Sequence, residues 1–213
     1  MLRPPLTLFL SRMKLPSRSA ICVLLLAGGL TACTGAQDAA KQAKAINEQR
    51  NDLAAANIQT PEQVRDKLNY DSDFAVAASS TGQLDVALAK LAQQKAIAQE
   101  VKDWAKQVEA DHTKINNTLE DLAPRIGIAL PKMMSEDDRD HYDDVDDRKY
   151  FGFDKKFLRA LSDAQERDIK RYEEGAEQLS SPGLRDFAAT TLPLLREHHA
   201  KTEELYDRAN ERK

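Results

Sequence analysis

Two histidines stand where apolar side chains belong. His112 falls four residues after Val108 and three before Ile115, and His198 lies between Leu195 and Thr202, so each imidazole sits on the inner stripe of a helical repeat. Glu109 precedes His112 by one turn, forming a Glu-x-x-His pair on one helix face. Gln165 holds the comparable place between Leu161 and Tyr172, and Asp85 follows Leu84 on an earlier segment. Carboxylates and imidazoles gathered inside a helical bundle suit two tasks. They can hold a transition metal, or they can hydrogen-bond one another across helices and so fix the register of those helices.

A dinuclear metal centre in a bundle needs two lone carboxylates and two Glu-x-x-His pairs, because two cations require several negative oxygens as well as terminal imidazoles. Only one such pair is complete here: Leu195 stands three residues before His198, and Ser162 three before Gln165. A glycine-rich phosphate loop and a recognisable nucleophile motif are also missing from the chain. The expectation is therefore a polar layer made by Asp85, Glu109, His112, Gln165 and His198, with a metal-dependent redox site on the same residues as the alternative. Heme held between His112 and His198 is a third reading. The cofactor stays unknown, with a transition metal as the candidate, and catalysis is the less favoured outcome.

The elements that must position these residues follow from periodicity. Phe74, Ala77, Ala78, Thr81, Leu84, Leu88 and Leu91 mark a helix from about Asp73 to Lys95, with Asp71 and Ser72 as caps. Val101, Trp104, Val108, Ile115, Leu119 and Leu122 mark a second from about Gln99 to Leu122, with Trp104 read as core. Phe157, Leu161, Ala164, Tyr172, Ala176 and Leu179 mark a third from about Asp154 to Leu179. Ser181 and Pro182 open a fourth, reaching about Arg208, in which Pro193 should bend the helix near His198. Short turns after the first and third helices force antiparallel neighbours, so the expected architecture is an up-down-up-down four-helix bundle. In such a bundle Asp85, His112, Gln165 and His198 lie roughly 18 to 26 Å from one end at about 1.5 Å per residue, near a common height.

Other stretches carry less. Residues 123–153 form the one long connection, with an acidic run from Glu136 to Asp147 that fails the calcium-loop pattern, since Asp143 stands where glycine is needed. This run is read as solvated. Residues 34–57 hold few large apolar side chains and are read as a partly helical, solvated tether, followed by a short helix from Pro61 to about Leu68.

The amino terminus reads as a secretion signal: Arg3, Arg12, Lys14 and Arg18 precede an apolar run, Ala20 to Leu30, too short to span a bilayer. Met13 offers a second start. Leu30-Thr31-Ala32-Cys33 resembles the lipobox of bacterial lipoproteins. That resemblance implies cleavage before Cys33, acyl chains on its sulfur and a lasting membrane anchor, and Thr34 in place of Asp implies sorting to the outer membrane, facing the periplasm. The expected divisions are a signal peptide over 1–32, a lipid-anchored tether over 33–70 and a helical domain over 71–210. The signal carries four of the 31 basic residues and none of the 35 acidic ones, so the mature chain has 27 against 35, a net charge of −8. A chain this acidic is unsuited to nucleic acid.

Three segments carry a wider resemblance: DFAVAASSTGQLDVALAKLAQQKA from Asp73, VEADHTK at 108–114, and DFAATTLPLLREHHAKTEEL at 186–205. Over about Asp73 to Tyr206 the chain resembles a bacterial family filed as domain of unknown function 4142, described as predicted outer-membrane or periplasmic proteins of ferritin-like fold. The resemblance implies a ferritin-like four-helix domain with mid-bundle histidines at His112 and His198 and with Asp111 beside the first. Where members often carry His and Glu, this chain has Gln165 and Ala87. The expected function is a lipid-anchored envelope module, non-catalytic, acting through partners, as structure or in stress.

Overall fold

The structure is a computed structural model that describes residues 38–149 and 152–211; the signal and lipobox expectations, Met1 to Cys33, lie outside these. The described residues form six helices: α1 (Ala39–Ala55), α2 (Pro61–Lys95), α3 (Gln99–Leu122), α4 (Glu136–Asp146), α5 (Phe153–Gln178) and α6 (Pro182–Glu211), with a 3-10 turn at Ala123–Ile126 and no strands. Four of them, α2, α3, α5 and α6, make an antiparallel bundle. Asp85 meets His112 across α2 and α3, Trp104 meets Thr202 across α3 and α6, Ser162 meets Glu203 across α5 and α6, and Phe74 meets Tyr172 across α2 and α5. Asp71 meets Ser180 and Asp154 meets Ile97 and Ala98, so α2 and α5 run in opposite directions and α3 and α5 start at the same end. The chain order is therefore up-down-down-up instead of the expected up-down-up-down, because the long connection after α3 returns along the bundle, with α4 packed on α2 and α5, before α5 begins.

The core these helices enclose comes in two parts. Towards one end, Leu84, Leu88, Val108, Phe157, Leu161 and Leu205 pack together. Towards the other, Phe74, Ile115, Leu119, Tyr172, Leu184, Phe187 and Leu195 do. Asp85, His112, Gln165, Asp168, His198 and Thr202 are buried as well; on α3, α5 and α6 they fall between these two groups, and on α2 Asp85 follows Leu84 at the inner edge of the first. Each helix therefore runs from one apolar half into the other through a polar layer.

Several sequence expectations need correction. The short helix from Pro61 and the longer one from Asp73 are a single helix of 35 residues. Asp71 and Ser72 do not cap its start. The Asp71 carboxylate instead accepts from the backbone N–H groups of Ser180 (2.7 Å) and Ser181 (2.8 Å) and from the Ser180 hydroxyl (2.6 Å), tying α2 to the α5–α6 turn. Residues 39–55, expected in a solvated tether, form α1, whose Ala40, Ala43, Asn47 and Ala55 are buried. Alanines let α1 lie close to α2, and Asn47 clasps the long connection: its Oδ1 accepts from Ala129 N–H at 2.7 Å and its Nδ2 donates to Ala129 O at 2.9 Å. The acidic run is also structured. Ser135 caps α4 by accepting from Asp138 N–H at 3.1 Å, and Val145 is buried. Pro193 lies inside α6 without ending it, while Thr190 donates to Asp186 O one turn earlier at 2.7 Å.

Candidate functional site

Three of the five bundle residues singled out by sequence come together. His112 Nδ1 lies 3.1 Å from Asp85 Oδ2, and His112 Nε2 lies 3.4 Å from His198 Nδ1. His198 Nε2 in turn lies 3.2 Å from Asp111 Oδ2. The chain Asp85–His112–His198–Asp111 thus crosses from α2 through α3 to α6 and returns to α3. Trp104 covers its outer side: the indole stands edge-on to His198 at 5.0 Å between ring centroids and donates from Nε1 to Thr202 Oγ1 at 3.1 Å, and Thr202 donates back to His198 O at 2.9 Å. Trp104 is half-buried and packs against the apolar core as expected, while its exposed side covers the layer.

Charge sets the direction of this chain. Burial works against a charge on Asp111, but hydrogen bonds from Gln107, Lys114 and His198 outweigh it and hold the carboxyl below its ordinary value. Ionised Asp111 only accepts, so His198 carries its proton on Nε2 and presents a bare Nδ1. His112 Nε2–H then donates to that nitrogen and leaves His112 Nδ1 bare in its turn. A donor is required at the far end, and Asp85 meets the requirement as a carboxylic acid. Burial, then the neighbouring Asp168 charge, pushes Asp85 well above its ordinary value, while burial and the neighbouring His198 lower His112 to about 3. His198 is lowered too, chiefly by burial. The four groups therefore hold one negative charge, at the Asp111 end, and two neutral imidazoles.

The remaining candidates fall elsewhere. Glu109 turns from the layer towards the α2–α3 surface, where it accepts from Gln93 Nε2 at 2.5 Å and sits 3.7 Å from Lys90 Nζ. Gln165 is fully buried, yet its amide finds no hydrogen bond among the described residues. Asp168, one turn beyond Gln165, was not among the candidates although its spacing from Gln165 and Tyr172 put it on the inner stripe. It pairs with Arg171, and burial raises it to about 7 against the pull of Arg171 and Arg167.

These positions do not fit a dinuclear metal centre. Glu109 is outside, both imidazoles spend their nitrogens on protein partners, and among the described residues no group of three or more His, Cys, Asp or Glu side chains converges to hold a metal ion. Heme fits no better, because the His112 and His198 rings touch through Nε2 and Nδ1 at 3.4 Å, tilted by 40° with 5.4 Å between centroids, which leaves no room for a cofactor between them. Asp111 also lines an open cleft of about 510 Å³ between α3 and α6, floored by Ile115, Leu122 and Phe187. No described helix is long and apolar enough to cross a membrane.

Residues 55–205 match the family described as domain of unknown function (DUF4142). No curated protein and no solved structure matches the chain. The matched span covers α2 through α6 up to Leu205, including every residue of the buried chain, and the protein belongs to the DUF4142 family.

Proposed function

We propose that this protein is an acyl-anchored module of the cell envelope, held to the outer membrane at Cys33, whose bundle works through partners, as structure or in stress rather than by catalysis. Its mid-bundle histidines serve as a register device. One observation carries this reading: all four imidazole nitrogens in the layer are engaged, two lying within 3.2 Å of a carboxylate oxygen and two shared between the imidazoles at 3.4 Å. Breaking the register of α6 against α3 by one turn would strand those groups in the interior, and a buried polar group without its partner costs about 1 to 3 kcal/mol.

The anchoring part is tested by mass spectrometry of the mature amino-terminal peptide, which should begin with acylated Cys33; an unmodified terminus further along would refute it. The register part is tested by thermal melts of wild type, His112→Gln and His198→Gln with Fe(II), Mn(II) or Zn(II) and after chelation. Both substitutions should lower the melting temperature, and metal should have no effect. The unpartnered amide of Gln165 and Oδ1 of Asp85 favour a second reading, in which a bound metal completes the layer. On that reading chelation lowers the wild-type melting temperature and both substitutions abolish the response.

A further inference from the structure

Helix α1 has two faces of different character. Ala40, Ala43, Asn47 and Ala55 pack inward. At about 100° per residue, Gln42, Ala45, Ile46, Gln49 and Leu53 fall within an arc of about 100° on the opposite side. All five are exposed, and none carries a charge. The charged residues of α1 flank this arc and several are tied back to the protein: Lys41 to Asp38 and Glu136, Lys44 to Asp73, and Arg50 to Gly127 O. Five large hydrophobic side chains stand exposed among the described residues, and three of them, Ile46 at 45%, Leu53 at 71% and Ile58 at 44%, belong to α1 and the turn after it. Exposed aliphatic side chains are thus concentrated on one edge of the molecule.

We propose that this outward face of α1 lies on the surface of the bilayer that holds Cys33, so that the bundle rests on its side with α6 pointing away. The proposal rests on the anchoring reading above. Ala39 follows Cys33 by six residue steps, and a chain of that length spans at most about 22 Å when fully extended. An anchored Cys33 therefore confines the start of α1 to the membrane surface. Such tethering makes docking intramolecular, so a small apolar stripe suffices where it would fail for a free protein. A second copy of the chain is a poorer occupant, because a few aliphatic side chains fall far short of the roughly 800 Å² that each partner contributes to a stable protein interface. The orientation follows from the packing: α1 packs on α2, and α2 packs on α3 and α5, leaving α6 diagonally opposite.

The test uses the mature acylated protein in vesicles of phosphatidylethanolamine and phosphatidylglycerol. Cys22 leaves with the signal and the Cys33 sulfur is a thioether, so Gln49→Cys or Asp207→Cys supplies the single reactive thiol for an environment-sensitive fluorophore. The expected result is blue-shifted emission at position 49, quenched by nitroxide lipids, and neither effect at position 207 on α6. Adding Ile46→Glu and Leu53→Glu should remove both effects at position 49 while the acylated protein stays vesicle-bound with an unchanged melting temperature. Acylated, vesicle-bound protein in which positions 49 and 207 behave alike overturns the proposal and leaves anchoring intact. A mass spectrum without acyl chains on Cys33 overturns both.

Discussion

Asp85 decides the character of the buried layer. If it donates as an acid to His112 Nδ1, then Asp85→Asn, which keeps the shape and supplies an N–H donor, should stay within about 1 kcal/mol of wild type, whereas Asp85→Ala should cost about 1 to 3 kcal/mol. Were it instead a carboxylate paired with a charged imidazole, Asp85→Asn would leave that charge uncompensated at about 3 to 5 kcal/mol. Urea melts of the two variants at pH 7 separate the cases. At the other end of the chain, Asp111→Ala strands the His198 Nε2–H and should destabilise by about 1 to 3 kcal/mol, while Asp111→Asn, with an acceptor oxygen, should recover most of the loss. At this scale the sequence was a partial guide. His112 and His198 announced themselves as polar residues on apolar stripes. Glu109 misled, because residues three before and one before an inward histidine flank it on opposite sides: Glu109 turns towards α2 and Lys90, and Asp111 turns towards α6 and His198.

Among the elements, α3, α5 and α6 were readable because their large apolar residues repeat at threes and fours. The start of α2 was not, since Asp71 and Ser72 have the chemistry of caps and only the fold reveals that Asp71 serves a turn more than a hundred residues away. Its removal should be felt there. Asp71→Ala leaves two backbone N–H groups and a hydroxyl at the α5–α6 turn without their acceptor, so a loss of about 2 to 4 kcal/mol is expected by denaturant titration, from hydrogen bonds of about 1.5 to 3 kcal/mol each to a charged group less rehydration. An effect below about 0.5 kcal/mol, typical of a neutral surface change, would refute the clasp. The packing of α1, a stretch expected to be partly helical but solvated, escaped notice for another reason: alanines bury too little surface to stand out in a sequence, yet they permit close approach. Gly175 shows the same economy on α5, where an added Cβ would come within 2.8 Å of the Phe74 ring. Gly175→Ala should accordingly cost about 1 to 3 kcal/mol through overpacking.

For the molecule as a whole, the layer links folding to pH with opposing signs. Asp85 and Asp168 keep protons in the folded chain that the unfolded chain gives up near 3.8, so they favour the fold fully below that value, and Asp168's share is lost as pH rises through about 7. His112, at about 3, refuses a proton that the unfolded chain takes up below 6.5, so its burial penalises the fold increasingly as pH falls across that window. Two acids and two imidazoles thus offset each other through the mildly acidic range, and only the acids act above it. The layer's contribution should be level between about pH 4 and 6.5 and decline above about pH 6.5, through both acids up to about pH 7 and through Asp85 beyond it. Asp168→Asn should remove the share of the slope that arises between about pH 4 and 7, so that stability rises with pH across that window in the variant, and should leave the slope above about pH 8 as in wild type. Urea midpoints from about pH 4 to 9 that keep the wild-type profile below about pH 7 would exclude Asp168 as a source.

The division of the core into two apolar halves also shapes how the molecule opens. Hydrophobic contacts on either side resist water, but the residues between them gain from it, because the Gln165 amide offers hydrogen-bonding atoms that the described protein leaves unused. Amide exchange should reflect this division. Protection ought to dip at the level of the layer on α2 and α5, and each helix would then present two slowly exchanging blocks separated by a faster seam, so that a single long helix can loosen in the middle before either end has left its own half of the core.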